Sequence, residues 1–537
     1  MSNCHTSTAF PSKLRAINHR SKFWLITVAI FLIVEAAWAA SGDLFRVCDL
    51  RFEGDLLLYH VEDLNNDGLK DVLVVTNQSS QNQSVERRVN LYLQNEAGFS
   101  EKPLQSFSLD QSSILFDVGD VIGDLKKELV LLKKSGIFYY PFNETGFILS
   151  PRKLLEVESA FMIPNRTPMK WELVADMNGD HVDEILIPKL TRLEVYFRAP
   201  GNNWHINELP IGMESKVSGM YDARFSVGNY AEAIYTTPFL QTEDFDADGR
   251  KDLLAVYRDS LLVFCQEESG YFQQEYRQNI PLHFGEIWRG AKIQRVKIAD
   301  ESERYYLMRI KDLNHDGILD AVGIRVSTIE SVVNPSTDVR IYFGRREISN
   351  FREIVFFPDT PDQIIQPDGT QLVLDIVDLN HDQKFDLMIP VIKIGLQNIV
   401  KMLLTRSVEI RADIFMMNPQ GFYPKKPDTA IKMVVKFSYR GGATSPVYEV
   451  ADFEDDGYLD ILSSISGKTL AIFSGSENSG INDRIGPKFN VLLPQNGEMV
   501  RAMDLNSDKK SDVIITYSED NALHKYLTNV LRVLLAN

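Results

Sequence analysis

Cysteine is scarce in this chain: 537 residues hold three, and only Cys48 and Cys265 lie beyond an expected export signal. Two cysteines so far apart make no disulfide framework. They could pair in an oxidising compartment, but the fold cannot depend on them. Positive charge is also in deficit, with 57 Lys and Arg against 74 Asp and Glu and a formal net charge of −17. Nucleic-acid binders are built on basic patches, so no nucleic-acid partner is expected. Long apolar runs are absent after residue 40, which leaves no stable membrane span once the leader is removed. Catalytic signatures are missing too: there is no H-E-x-x-H and no G-x-S-x-G.

The one apolar run, Phe23 to Val34, follows Lys13, Arg15, Arg20 and Lys22 and precedes the small residues Ala37, Ala39 and Ala40. At about 12 residues it is too short to span a bilayer, which takes roughly 20. It reads as a signal peptide over residues 1–39, cleaved after Ala39 or Ala40, ahead of one domain over residues 40–537. The expected location is outside the cytoplasm: secreted, periplasmic or at the cell surface.

What the sequence has in quantity is one acidic motif. "VEDLNNDGLKDVLVV" begins at Val61, and relatives of it start at Asp120, Asp176, Asp244, Asp312, Asp378, Asp452 and Asp504, separated by roughly 50 to 75 residues, near the period of propeller repeats. An apolar residue stands two before the first Asp in most copies, and a short apolar run such as "VLVV", "ILIP" or "LLAV" follows the last acid. The first is the alternation of a half-buried strand; the second is too brief for a helix. Gly-aromatic turns at Gly98-Phe99, Gly146-Phe147, Gly270-Tyr271 and Gly421-Phe422 end a third strand, and "LQSFSL" or "FREIVFF" suggests a fourth. Four antiparallel strands per repeat predict an all-β propeller of seven or eight blades. A linear solenoid is the rival, but its coils have shorter periods. "LFRVCDLRF" near Leu44 and "VLRVLLAN" at the C-terminus are expected to share a closing blade.

Calcium takes six to eight hard oxygens, and side chains at positions one, three and five with a carbonyl at seven can wrap it. The candidate ligands are Asp63, Asn65, Asp67 and Asp71; Asp176, Asn178, Asp180 and Glu184; Asp244, Asp246, Asp248 and Asp252; and Asp312, Asn314, Asp316 and Asp320. They continue as Asp378, Asn380, Asp382 and Asp386; Asp452, Glu454, Asp456 and Asp460; and Asp504, Asn506, Asp508 and Asp512. Position six must bend sharply. Gly68, Gly249, Gly317 and Gly457 suit it, whereas His181, Gln383 and Lys509 would each meet about 1–2 kcal/mol of left-handed backbone strain. In the copy at Asp120, Ile122 cannot coordinate a cation, so that loop is expected to be metal-free. Asp, Asn and Gly are favoured in turns without any metal. Turn propensity does not explain a carboxylate at position nine in all eight copies. The 26 acids at positions one, three, five and nine would repel one another without divalent ions, so several Ca2+ are expected as structural staples.

These loops and turns resemble the FG-GAP/VCBS repeat family, that of integrin α-subunit propellers. The D-x-[DN]-x-D-G-x-x-D pattern is best kept at Asp63, Asp244 and Asp312. The resemblance implies a calcium-stiffened propeller outside the cytoplasm, acting as a binding or scaffolding module for a protein or carbohydrate. The alternative is a calcium-dependent polysaccharide lyase, with no catalytic residue assigned. His181, His315 and His381 sit in the loops; His60, His205 and His283 lie elsewhere. Trp171, Trp204 and Trp288 could stack on sugars, Trp204 being expected as the most exposed. Tyr439–Pro446 and the stretch from Thr405 to Lys426 read as recognition loops.

Overall fold

The computed structural model describes residues 44–537 apart from 80–84, 162–167, 200, 202, 221–223, 225–229, 288–301, 330–334, 350–351, 394–403, 406, 439–441, 444, 478–479 and 519–523. The expected signal peptide, Trp288 and much of Tyr439–Pro446 lie outside the described residues. Eight antiparallel blades form a β-propeller.

Blade 1 consists of Asp55–Glu62, Asp71–Ser79, Val85–Tyr92 and Gln105–Ser108; blade 2 of Ser113–Gly119, Glu128–Lys133, Gly136–Tyr140 and Arg152–Leu155. Blade 3 begins at Val174–Ala175 and ends at Asn203–Leu209, and blade 4 runs through Phe239–Glu243, Asp252–Tyr257, Ser260–Phe264 and Gln278–Pro281. Blade 5 starts with Glu303–Lys311, blade 6 with Asp375–Val377 and its neighbour Asp386–Ile392, and blade 7 with Tyr448–Ala451. Blade 8 joins the chain ends: Val500–Met503, Asp512–Ile515 and Val530–Ala536 are completed by Phe45–Arg51, which pairs from Phe45↔Ala536 to Arg51↔Val530. Arg532 locks this seam by donating to both oxygens of Asp49, at 2.7 and 2.9 Å. The expected closing blade is therefore present, and the count is eight.

The apolar runs after each loop are buried on both faces because each blade lies between two others. In blade 1, Val72 and Val74 pack toward blade 8 while Leu73 and Val75 pack toward blade 2. In blade 2, Leu129 and Leu131 face blade 1 while Val130 and Leu132 face blade 3. The strand's period of two thus feeds two layers at once, and eight apolar clusters, one per blade interface, make up the core. Each fully buried aliphatic side chain contributes roughly 1.5–3 kcal/mol.

A second interblade device was not legible in the motif. The amide of Gln105, on the outer strand of blade 1, donates to the carbonyl of Phe147 and accepts from its N–H, at 2.9 and 3.0 Å. Asn207 holds Phe272 in the same two-way grip, and Gln363 holds Tyr423. The Gly-aromatic turns at Gly146, Gly270 and Gly421 thereby present backbone to the preceding blade's outer strand.

Several sequence expectations are corrected. Ser407–Phe415 is a long strand of blade 6, so the loop reading of the Thr405–Lys426 stretch holds only for the part after Phe415. "FREIVFF" supplies Arg352–Phe356, which forms a separate hairpin with Arg345–Ser349; the outer strand of blade 5 is Gln363–Ile365. A further hairpin, Glu214–Met220 with Tyr230–Thr236, is inserted between blades 3 and 4. The pairing of the two cysteines, which the sequence left open, does not occur: Cys48 in blade 8 and Cys265 in blade 4 are both free. Trp204 is half-buried, packed against the layer between blades 2 and 3, with Arg198 over its ring at 5.8 Å.

Candidate metal-binding loops

Each acidic motif connects the first two strands of a blade, and the eight loops share one conformation. Positions four and six both have positive φ in every copy: Asn66 and Gly68 at 60° and 87°, His381 and Gln383 at 57° and 70°, Ser507 and Lys509 at 60° and 73°. Position six was expected to be left-handed; position four was not noticed. Its occupants are mostly Asn, Asp, His, Ser or Gly, several of which tolerate that region, with Ala247 the apolar exception at 60°.

Hydrogen bonds explain the handedness. In the first loop Asp63 accepts the N–H of Asp67 on Oδ1 at 3.1 Å and that of Gly68 on Oδ2 at 2.8 Å. Asp67 Oδ1 accepts from Leu69, and Asn65 Oδ1 accepts from Asp67. The loop at Asp312 repeats all four bonds. Side-chain oxygens at positions one, three and five thus gather around one small space, and every donor there is a hard oxygen, the set calcium and not a soft metal prefers. The side chains present fit such an ion.

The position-nine carboxylates are all buried, and Asp71, Asp252, Asp320, Asp460 and Asp512 are 0% exposed. One oxygen of each accepts the N–H of position two in its own loop, as Asp71 does from Leu64 and Asp386 from Leu379. In six loops the other oxygen accepts an N–H at the end of, or just beyond, the strand paired on the far side: Gln94, Gln266, Gly344, Met417, Gly475 and Ala536. The recurrence of this carboxylate therefore has a structural cause that needs no ion, which removes one of the sequence arguments for calcium. Burial, helped by the neighbouring loop acids, pushes Asp71, Asp320, Asp386 and Asp512 up to about 7, and Glu128 and Glu184 to about 8.

The loop at Asp244 is the most concentrated. Carboxylate oxygens of Asp244, Asp246 and Asp248 all lie within 4.8 Å of one another. Arg277 pairs with Asp246 and Arg250 with Asp248, while Asp246 Oδ1 is buried without a hydrogen-bond partner. At Asp120 the loop keeps the shared backbone although Ile122 replaces an oxygen and Leu125 sits at a φ of 70°.

The loops also touch one another. The N–H at position eight donates to a carbonyl of the preceding loop: Lys70 to Leu505, Lys127 to Leu64, Asp183 to Asp120, Phe385 to Leu313, Leu459 to Leu379 and Ser511 to Asp452. Lys70 closes the circle from the last loop to the first. Among the described residues the loops at Asp244 and Asp312 lack this bond, so the chain of contacts is interrupted on both sides of blade 4.

The histidines form no common site. His181, His315 and His381 are exposed on separate loops; His60 contacts Glu62 at 3.0 Å, His205 stacks on Tyr271 at 3.8 Å, and His283 lies 3.3 Å from Asp359. Trp171 packs edge-on to Phe161. No helix among the described residues is long and apolar enough to cross a membrane.

Neither a family model nor a curated protein matches the sequence. Among solved structures the chain is similar to an Agrocybe aegerita lectin that recognises non-reducing terminal N-acetylglucosamine, at 12% identity over 83% of this chain and 89% of that one, with a TM-score of 0.35. It is similar also to the V. cholerae biofilm matrix protein Bap1, at 11% identity over 92% and 88% with a TM-score of 0.35. A third is the WD40 domain of SCAP from fission yeast, at 10% identity over 80% and 95% with a TM-score of 0.31. Likenesses this distant transfer no ligand.

Proposed function

We propose that this chain is an exported, calcium-stiffened propeller of FG-GAP/VCBS type that serves as a binding module for a protein or carbohydrate. The observation that carries the calcium half is the loop at Asp244, where three carboxylates share a space less than 5 Å across, with Arg250 and Arg277 paired to two of them. Like charges so placed favour a divalent ion. Each occupied site adds about 1.4 kcal/mol of stability at ten times its dissociation constant. The binding half rests on the fold itself, a rigid ring that holds its connecting loops and interblade clefts in fixed relation.

The test is thermal melting of the mature protein in chelator and in millimolar calcium, with bound metal counted by elemental analysis. Calcium is expected to raise the melting temperature, and Asp244→Asn with Asp248→Asn to remove at least one ion while keeping one acceptor oxygen on each side chain. Identical melting in both buffers with no bound metal would end the calcium reading. A glycan and protein array probed with the calcium-loaded chain tests the binding half, which fails if nothing is retained.

A further inference from the structure

Blade 4 is the exception in the ring of loops, and clefts flank it. The one between blades 4 and 5, about 410 Å³, is bounded by Glu214, Thr236, Tyr257, Arg258 and Phe284, a volume within the range of small-ligand sites. Of the eleven non-glycine residues with positive φ among the described residues, ten occupy positions four or six of the acidic loops; the remaining one is Arg258, at 56°. It begins the two-residue turn between Asp252–Tyr257 and Ser260–Phe264, where Gly or Asn would sit at less cost. Arginine there costs about 1–2 kcal/mol in backbone strain. Its visible contacts do not repay that: the guanidinium lies over the Tyr257 ring at 5.0 Å and reaches Glu214 only at 3.9 Å, both side chains more than half exposed. Strain kept at a cleft without local return points to a ligand contact.

We infer that this cleft binds a saccharide carrying one carboxylate per sugar, a uronic acid unit. The inference rests on the binding-module reading and names its site. Arg258 offers a planar fork for a carboxylate. Phe284, steadied edge-on against Tyr342 at 5.4 Å, offers an apolar ring for the apolar side of a pyranose. Glu214 and Thr236 offer acceptors and a hydroxyl for sugar hydroxyls. Glu214 beside the arginine opposes the second charge of a phosphate more than the single charge of a carboxylate, which favours a uronic acid unit over a phosphorylated group.

The experiment is calorimetric titration of the calcium-loaded mature protein with trisaccharides of glucuronic, galacturonic and mannuronic acid, and with their methyl esters. At least one acid is expected to bind, and its ester more weakly. Arg258→Gly should weaken the acid about tenfold to a hundredfold, the loss of a charge-assisted pair. Because glycine accepts the same φ without strain, that variant should melt no lower than the parent, so lost binding cannot be ascribed to misfolding. Arg258→Lys should fall between. Unchanged affinity in Arg258→Gly, equal affinity for acid and ester, equal displacement by inorganic phosphate, or no response to any of the three acids overturns the proposal. If the glycan array retains another ligand that Arg258→Gly still binds, this site falls and the binding-module reading stands.

Discussion

The shared loop conformation makes a quantitative demand at position six. Gly68, Gly249, Gly317 and Gly457 have φ between 80° and 87°, and a Cβ added to any of them would meet nothing within 4 Å. An alanine there is therefore opposed by backbone strain alone. The left-handed region costs about 1–2 kcal/mol, and reduced freedom of the unfolded chain returns about 0.4–1 kcal/mol. Each Gly→Ala should then destabilise by about 1 kcal/mol. The reverse applies at His181, Gln383 and Lys509, which hold φ of 70°, 70° and 73°: each change to glycine should stabilise by about 1 kcal/mol. The three loops belong to blades 3, 6 and 8 and share no partner, so the triple variant should gain about 3 kcal/mol by additivity. The assay is chemical denaturation in chelator, which isolates backbone strain from metal binding, repeated in calcium to read the effect on affinity. Lys509→Gly should show the larger gain in calcium because it also removes a cation from the loop. A triple variant no more stable than the parent in chelator would refute the left-handed geometry and the strain argument with it.

Three further perturbations test other parts of the framework. Asp386→Ala would leave the buried N–H groups of Leu379 and Met417 without an acceptor at about 1–3 kcal/mol each, so it should destabilise by roughly 2–5 kcal/mol even in chelator, and a loss seen only in calcium would deny the structural role. Asp49→Ala removes the carboxylate that pairs with Arg532, whose side chain is 5% exposed, and should cost about 3 kcal/mol, most of it recovered on adding Arg532→Met; an unaltered denaturation midpoint would mean that the seam is not held by this pair. Burial raises Asp375 to about 6, and burial together with the Asp375 charge raises Glu449 to about 7. Their folded pKa values lie above the unfolded ones, so their contribution is complete below about pH 4 and is lost as pH rises through 6 to 7. Glu449→Gln should flatten the fall in stability between pH 5 and 8, by on the order of 2 kcal/mol, and an unaltered slope would contradict the burial argument.

The architecture was readable because the repeat carries two signals at once, an acidic turn and a continuous apolar run. The run in "DVLVVT" predicted a strand, and its burial on both faces follows once each blade has two neighbours. The closing blade was readable because both chain ends are strand-like and apolar. Other parts left no such trace. Gln105, Asn207 and Gln363 grip the next blade, but they lie at no fixed distance from the acidic motif. The positive φ at Ala247 leaves no mark in residue type. The fourth strand of blade 5 was misplaced because "FREIVFF" alternates as a strand should, and nothing in that pattern shows that it pairs with Arg345–Ser349 and not with the blade. Arg258 could not be singled out, since only the backbone reveals that it is strained.

The loop at Asp120 serves as an internal control for the role of the ion. It lacks an oxygen at position three, yet Asp120 accepts the N–H groups of Gly123, Asp124 and Leu125, and Glu128 accepts that of Val121. Its positive φ at Gly123 and Leu125, 74° and 70°, matches the other seven copies. A loop that cannot complete the ligand set therefore folds as the others do, held by carboxylate-to-backbone bonds and joined to its neighbours through Lys127 and Asp183. The bonds from the position-six N–H to the first carboxylate and from the position-two N–H to the last recur in the loops with full ligand sets, so an ion would add to a conformation already specified by the chain. Removing calcium should accordingly lower the melting temperature while leaving the β-sheet circular dichroism and aromatic near-ultraviolet signal at 25 °C in place. Loss of the near-ultraviolet signal on chelation would make the ion a requirement for folding and this loop a dependent of its neighbours.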